Sequence, residues 1–208
     1  MLALSASPRT RRDGEVVGPI AAATRIEAEV ESAGTVIELA ISLTIEGDRA
    51  RRVIEVDGVR RRAFDLPGHF RVTLFWPDDL GLIKAGPELR RRFLNQMLVQ
   101  VEPGYARALA GLKRVLEQRN SLLKRMAAGE GGGEVLEAWN AELVRIGGEV
   151  SAARARAVKE LEPEAARCHS EIAPGERLQI EYQGSPVDMA EAVHNSLAED
   201  LRRGTTSI

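Results

Sequence analysis

The chain has 208 residues, a mass of 22.7 kDa, 44% hydrophobic and 29% charged residues, and a net charge of −2 with a pI of about 6.0. That is enough chain to bury a core in one large or two small domains, and the composition excludes bulk disorder and a polycation, so any nucleic-acid contact has to come from local patches. A single cysteine, Cys168, excludes an internal disulfide framework, and no apolar run approaches a membrane span.

The N-terminal MLALSASPRTRRDGE places arginines after a very short apolar stretch, the reverse of a signal peptide. With the reducing compartment implied by one cysteine, this gives a cytoplasmic reading. The first third has the period of strands. In RIEAEVE, Ile26, Ala28 and Val30 alternate with Glu27, Glu29 and Glu31, and in VIELAISLTI the residues Ile37, Leu39, Ile41, Leu43 and Ile45 share one face. Asp57-Gly58, between RRVIEV and VRRRAF, is the strongest hairpin signal in the chain. These runs predict an antiparallel meander of three or four strands. RVTLFW, up to Pro77, predicts one more short strand, more fully buried.

From Pro87 the period becomes that of a helix. Gly86-Pro87 marks a helix start. Tyr105, Leu109, Leu112, Leu116 and Leu123 form one apolar seam, and Trp139, Leu143, Ile146, Val150, Ala153, Ala157 and Leu161 form a second. The Gly-rich AAGEGGGE (127–134) between them predicts an antiparallel helical hairpin. ERLQIEYQG then predicts a strand, and VDMAEAVHNSLAEDLRRG an amphipathic helix stopped by Gly204. The fold class is therefore α+β. The strands barely cover one face of a sheet and the chain begins and ends abruptly, which suggests a piece of a longer protein.

Few motifs carry chemistry. GEGGGE lacks the Lys-Ser/Thr of a phosphate loop and joins two helices, so it reads as a hairpin tip. Asp78 and Asp79 in FWPDDL sit beyond Pro77, where solvation or pairing with nearby arginines competes with a metal role. Cys168-His169 has no metal-ligand spacing, His69 and His194 have no companions, and no nucleophile elbow occurs, so neither catalytic residues nor metal ligands are assigned. What remains is arginine: only four of the 29 basic residues are lysines, and the arginines cluster at Arg9, Arg11 and Arg12, at Arg51 and Arg52, at Arg60 to Arg62, and at Arg90 to Arg92. Arg9, Arg11, Arg60, Arg61, Arg90, Arg91 and Arg92 are the candidate phosphate or nucleic-acid contacts. The last cluster stands at the positive end of a helix dipole, so it predicts a nearby anion: Asp78, Asp79 or Glu88 locally, otherwise a phosphate.

GPELRRRFLNQML (86–98), then Tyr105, then LKRVLEQRNSLLK (112–124) resembles the middle of the RecF family, bacterial recombination mediators of the ABC/SMC-type ATPase class. The matching positions are Gly86, Pro87, Arg90, Arg91, Phe93 and Leu94, then Gln118, Arg119, Asn120, Leu122, Leu123 and Lys124. SPRTRRDGEVV, VDGVRRR, FWPDDL, the Trp139–Leu143–Gly147 spacing and LRRGTTSI extend the resemblance along nearly the whole chain. Asn95 and Asn140 stand where the family usually has Asp, and Leu112 where it has Tyr, so an ion pair between an Asp at 95 and the Arg90/Arg91 helix start is absent.

The resemblance implies an antiparallel β lobe of an ABC-type ATPase head (1–80), a helical arm domain (81–174) with its tip near 127–134, and a strand and helix returning to the head (175–208). It implies structural roles for Gly86, Pro87, Phe93, Gln118, Arg119 and Asn120, and places Asp78 and Asp79 near nucleotide in the parent. For the parent it implies ATP and Mg, an ATP-dependent homodimer, binding to single-strand/double-strand gap junctions of DNA, partnership with RecO and RecR, and roles in DNA repair, replication, recombination and the SOS response. The family's phosphate-binding loop would precede residue 1, and its signature and Walker B carboxylates would follow residue 208. Neither nucleotide binding nor ATPase activity is therefore expected of this chain alone. The competing reading is a non-catalytic coiled-coil or protein-interaction module, whose arginines solvate its surface.

Overall fold

A computed structural model describes the chain except for Pro8, Arg11, Ala33, Trp76, residues 185–188, Ser207 and Ile208, and except for the side chains of Ser32 and Asp78. Two compact units divide it, Met1–Ala106 and Arg107–Ile208.

In the first unit the alternating runs form a four-stranded antiparallel meander, β1 (Ala23–Ser32), β2 (Thr35–Glu46), β3 (Arg49–Val56) and β4 (Val59–Arg61), in that spatial order. Register follows from which face is apolar. Ile26, Ile41 and Ile54 are direct cross-strand neighbours, so one row of isoleucines crosses three strands. Leu39, Ile41, Leu43, Ile54 and Val56 are buried beneath Leu2, Leu66 and Val17, the last from the short helix α1 (Gly14–Val17). On the opposite face polar side chains pair across the strands. Arg25 reaches Glu27 at 2.8 Å, Ser42 at 3.0 Å and Glu55 at 2.7 Å, and hydrogen bonding to Glu55 and Glu27 raises its pKa above the ordinary guanidinium value. The β3–β4 turn has φ of +52° at Asp57 and +71° at Gly58, the pairing of a type I′ hairpin.

Two predicted strands are corrected. Residues 71–75 join no ladder, and Leu74 and Phe75 are exposed rather than buried; Trp76 lies outside the described residues. The only backbone hydrogen bond described there runs from the Val72 N–H to Gln100 Oε1, at 2.7 Å. Residues 176–184 likewise form no strand. Their alternation survives in the burial of Leu178, Ile180 and Tyr182, which are half-buried between exposed neighbours. In both cases no described partner strand satisfies the backbone.

After a 3-10 turn (Pro77–Leu80) come α2 (Gly81–Lys84), α3 (Pro87–Val101) and α4 (Tyr105–Ala127), then α5 (Gly133–Ile172) and α6 (Met189–Arg203). Gly86 is the N-cap of α3 and Pro87 its first residue. The predicted hairpin tip lies between α4 and α5. α5 runs beyond Leu161 and through Pro163, an exposed position whose missing N–H forfeits one ladder bond without burying a polar group. Along its exposed side Arg145 bridges Glu142 and Glu149, and Arg167 bridges Glu164 and Glu171. The hydrogen bond from Arg145 holds the Glu142 carboxyl below the usual range, but pairs this exposed contribute little to stability.

In the second unit Leu122 and Leu123 of α4 and Leu136 of α5 form a buried cluster, flanked by Met126, Trp139, Leu197 and Leu201. α6 ends in a Schellman turn. Gly204 has φ +65°, Thr205 N–H bonds to Asp200 O at 3.2 Å, and a Cβ at 204 would stand 3.1 Å from Lys124 Cγ. Among the described residues no helix is long and apolar enough to cross a membrane.

Candidate nucleic-acid interface and a buried arginine node

Arginines that look alike in sequence have different local structures. Arg52 points to the core face of the sheet, where an unpaired cation would be costly. Asp13, just before α1, takes its Nε at 2.9 Å and its Nη2 as well, and Ser5 accepts from Nη1 through its carbonyl and, at 3.2 Å, its Oγ. Arg51 pairs with Glu46 at 3.3 Å. Arg62 lies 5.7 Å from the Phe64 ring centroid. Arg9 is exposed, with its backbone N–H on Ser7 Oγ at 3.2 Å; Arg11 lies outside the described residues. Arg60 and Arg61 are exposed on β4, the last strand of the sheet.

Arg90 Nη1 donates to the carbonyls of Leu82 and Ala85, both at 3.0 Å. These oxygens belong to α2 and its C-cap, the negative end of a helix turn. A cation at the start of α3 thus closes the end of α2 through two backbone acceptors. Arg91 is exposed and Arg92 half-buried. Asp79 is exposed in the 3-10 turn, Asp78 lies in the same turn, and Phe93 is 41% exposed. Asn95 has a different partner from the one considered above: its Oδ1 accepts from the buried Tyr105 hydroxyl at 2.7 Å. We expect Arg90→Ala to cost about 0.5–1.5 kcal/mol per lost net hydrogen bond and to fray α2 in amide exchange, with α3 little changed.

The most constrained group is Arg119, fully buried in the second unit. Its Nε donates to Asn140 Oδ1 of α5 at 2.7 Å. Its Nη1 donates to Asp200 Oδ2 of α6 at 2.8 Å and to Thr206 Oγ1 at 2.7 Å. Asn120 Oδ1 accepts from the Thr206 N–H at 2.8 Å and from its hydroxyl at 2.7 Å, and Ser196 Oγ donates to Asp200 at 3.1 Å. Asp200 is also fully buried. Gln118, adjacent in sequence, is exposed and outside the node. Arg119 Nη2 is buried, with no acceptor among the described residues.

The sequence reading assigned Arg119 and Asn120 to a structural block but did not find Asn140, Asp200, Ser196 or Thr206 as their partners. A signal existed. Arg119 lies one heptad after Leu112 and one before Met126, a seam position, and Asp200 shares the apolar face of Val193, Leu197 and Gly204. Opposite charges on two apolar faces predict a buried pair.

No protein-family model matches the chain. The DNA replication and repair protein RecF of Synechococcus sp. (strain JA-3-3Ab) is 38% identical over 186 residues, covering 88% of this chain and 48% of the relative. That of Moorella thermoacetica is 32% identical over 208 residues, covering 99% and 55%, and that of Geobacillus thermodenitrificans 34% over 224 residues, covering 100% and 59%. A solved structure of the recombination mediator protein RecF-ATP in the RecFOR pathway superposes with a TM-score of 0.90 at 24% identity, over all of this chain and 58% of that one. An antiparallel sheet unit followed by a long helical hairpin is thus an α+β architecture shared with recombination-mediator structures. The chain is similar along nearly all of its length to part of the RecF proteins, and it spans about half the length of the curated relatives it matches.

Proposed function

We propose that this chain is the β lobe and helical arm of a RecF-type DNA replication and repair protein, and that it contributes nucleic-acid contacts to an ATP-dependent DNA-binding parent. The observation that carries this reading is the match to RecF along 88% to 100% of the chain, in sequence and with one fold. The phosphate cradle and metal for ATP belong to the parent, as do dimerisation, engagement of RecO and RecR at gap junctions, and the link to the SOS response. The sheet unit supplies the head lobe and the hairpin the arm.

The arginine geometry narrows the DNA candidates. Arg52 and Arg90 are engaged by Asp13 and by the end of α2, whereas Arg60, Arg61 and Arg91 face solvent. Phosphate contacts release counterions, so each one removed should lower the salt slope of binding by about 1. In a full-length RecF homologue with ATP and gapped duplex DNA, Arg91→Ala and Arg60→Ala/Arg61→Ala should weaken binding and flatten the slope. Arg90→Ala should leave the slope unchanged. Unaltered affinity and slope in all three would return these side chains to plain solvation and put the interaction-module reading first.

A further inference from the structure

Arg52 and Arg119 present the same guanidinium edge, Nε with Nη2, to a side chain on another element. At Arg52 that edge meets a carboxylate, and Asp13 takes both donors. At Arg119 it meets an amide. Asn140 Oδ1 takes Nε, and Nη2 on the same edge is buried with no acceptor among the described residues. An amide offers one acceptor oxygen and one NH2 donor arm, so it can complete only half of the fork that a carboxylate completes.

The orphan matters because of what the other edge holds. Arg119 Nη1 and Asn120 together fasten Thr206, through its hydroxyl and its backbone N–H, against α4. If release of Thr206 admits water to the guanidinium, Nη2 gains a partner, and the desolvation cost of the orphan is borne only while the contact is closed. We propose that Asn140 makes the Arg119 node a weakened latch, which biases the Gly204–Thr206 stretch towards release from α4. An aspartate at 140 would take Nε and Nη2 together, as Asp13 does, on the edge away from Asp200. Asn140 is half-buried, so a carboxylate there would keep part of its hydration.

The test is amide exchange by NMR on this chain and three variants. Asn140→Asp should slow exchange of the Thr206 N–H by about tenfold, the scale of satisfying one buried donor, while the α4 core amides at Leu122 and Leu123 change far less. Asp200→Asn should speed Thr206 exchange. Asn140→Asp in that background should recover most of the loss, because it supplies a carboxylate to the same guanidinium. Thr206 exchange that is unchanged or faster in Asn140→Asp, uniform slowing of all α4 amides, or no rescue of Asp200→Asn would each overturn the latch.

Discussion

Arg119→Ala is expected to destabilise the helical unit by about 3–5 kcal/mol, the cost of stranding one partner of a buried ion pair. Asp200 is fully buried, and the guanidinium supplies its only described ion pair. Truncation also removes a large side chain from a seam it shares with Leu122 and Leu123, leaving a cavity where α4, α5 and α6 meet. Domain stabilities run to about 5–15 kcal/mol, so the variant should lose much of its helical circular dichroism at modest urea. Charge and volume can be separated. Arg119→Met keeps most of the volume and should remain strongly destabilised, while Arg119→Met with Asp200→Leu should recover most of the loss, since replacing a buried pair by apolar groups is often neutral. A cost below about 1 kcal/mol for Arg119→Ala would mean that the node is hydrated and the pair carries little.

This node also marks the limit of what sequence alone conveyed. Periodicity reports which face of an element is buried, and it was legible for β1 to β3, for the hairpin helices and for α6 up to Gly204. Local backbone chemistry was legible too, in Asp57-Gly58 and Gly86-Pro87, because those residues determine their own dihedrals. Partners distant in sequence were not legible. Residues 71–75 are rich in strand-forming apolar residues and 176–184 alternate like a strand, yet a strand exists only when a second backbone pairs with it. The arginine clusters look uniform in sequence, while Arg52 finds Asp13 across 39 positions and Arg119 finds Asp200 across 81. At Arg90 the acceptor is the end of a four-residue helix, α2, too short to leave a periodic signature. The resemblance to RecF located the block containing Arg119 but not its function, which emerges only from where α5 and α6 place Asn140 and Asp200.

The second large effect belongs to the sheet. Ile41→Ala should destabilise the first unit by about 2–5 kcal/mol, because Ile41 is fully buried at the centre of the isoleucine row and lies in the same core as Val17 and Leu66. Neighbouring strands hydrogen-bond through backbone groups that hold their spacing, so β2 cannot collapse to fill the space as readily as a loop would. Ile45 is the internal control. It lies on the same face two residues beyond Leu43 but is 36% exposed, so Ile45→Ala removes less burial and should cost under about 1 kcal/mol. Urea unfolding followed by amide protection of β2 residues 37–45 would separate the two. Equal costs would mean that the isoleucine row is not the centre of this core, and that the sheet owes its order to the α1 and Leu66 side of the cluster instead.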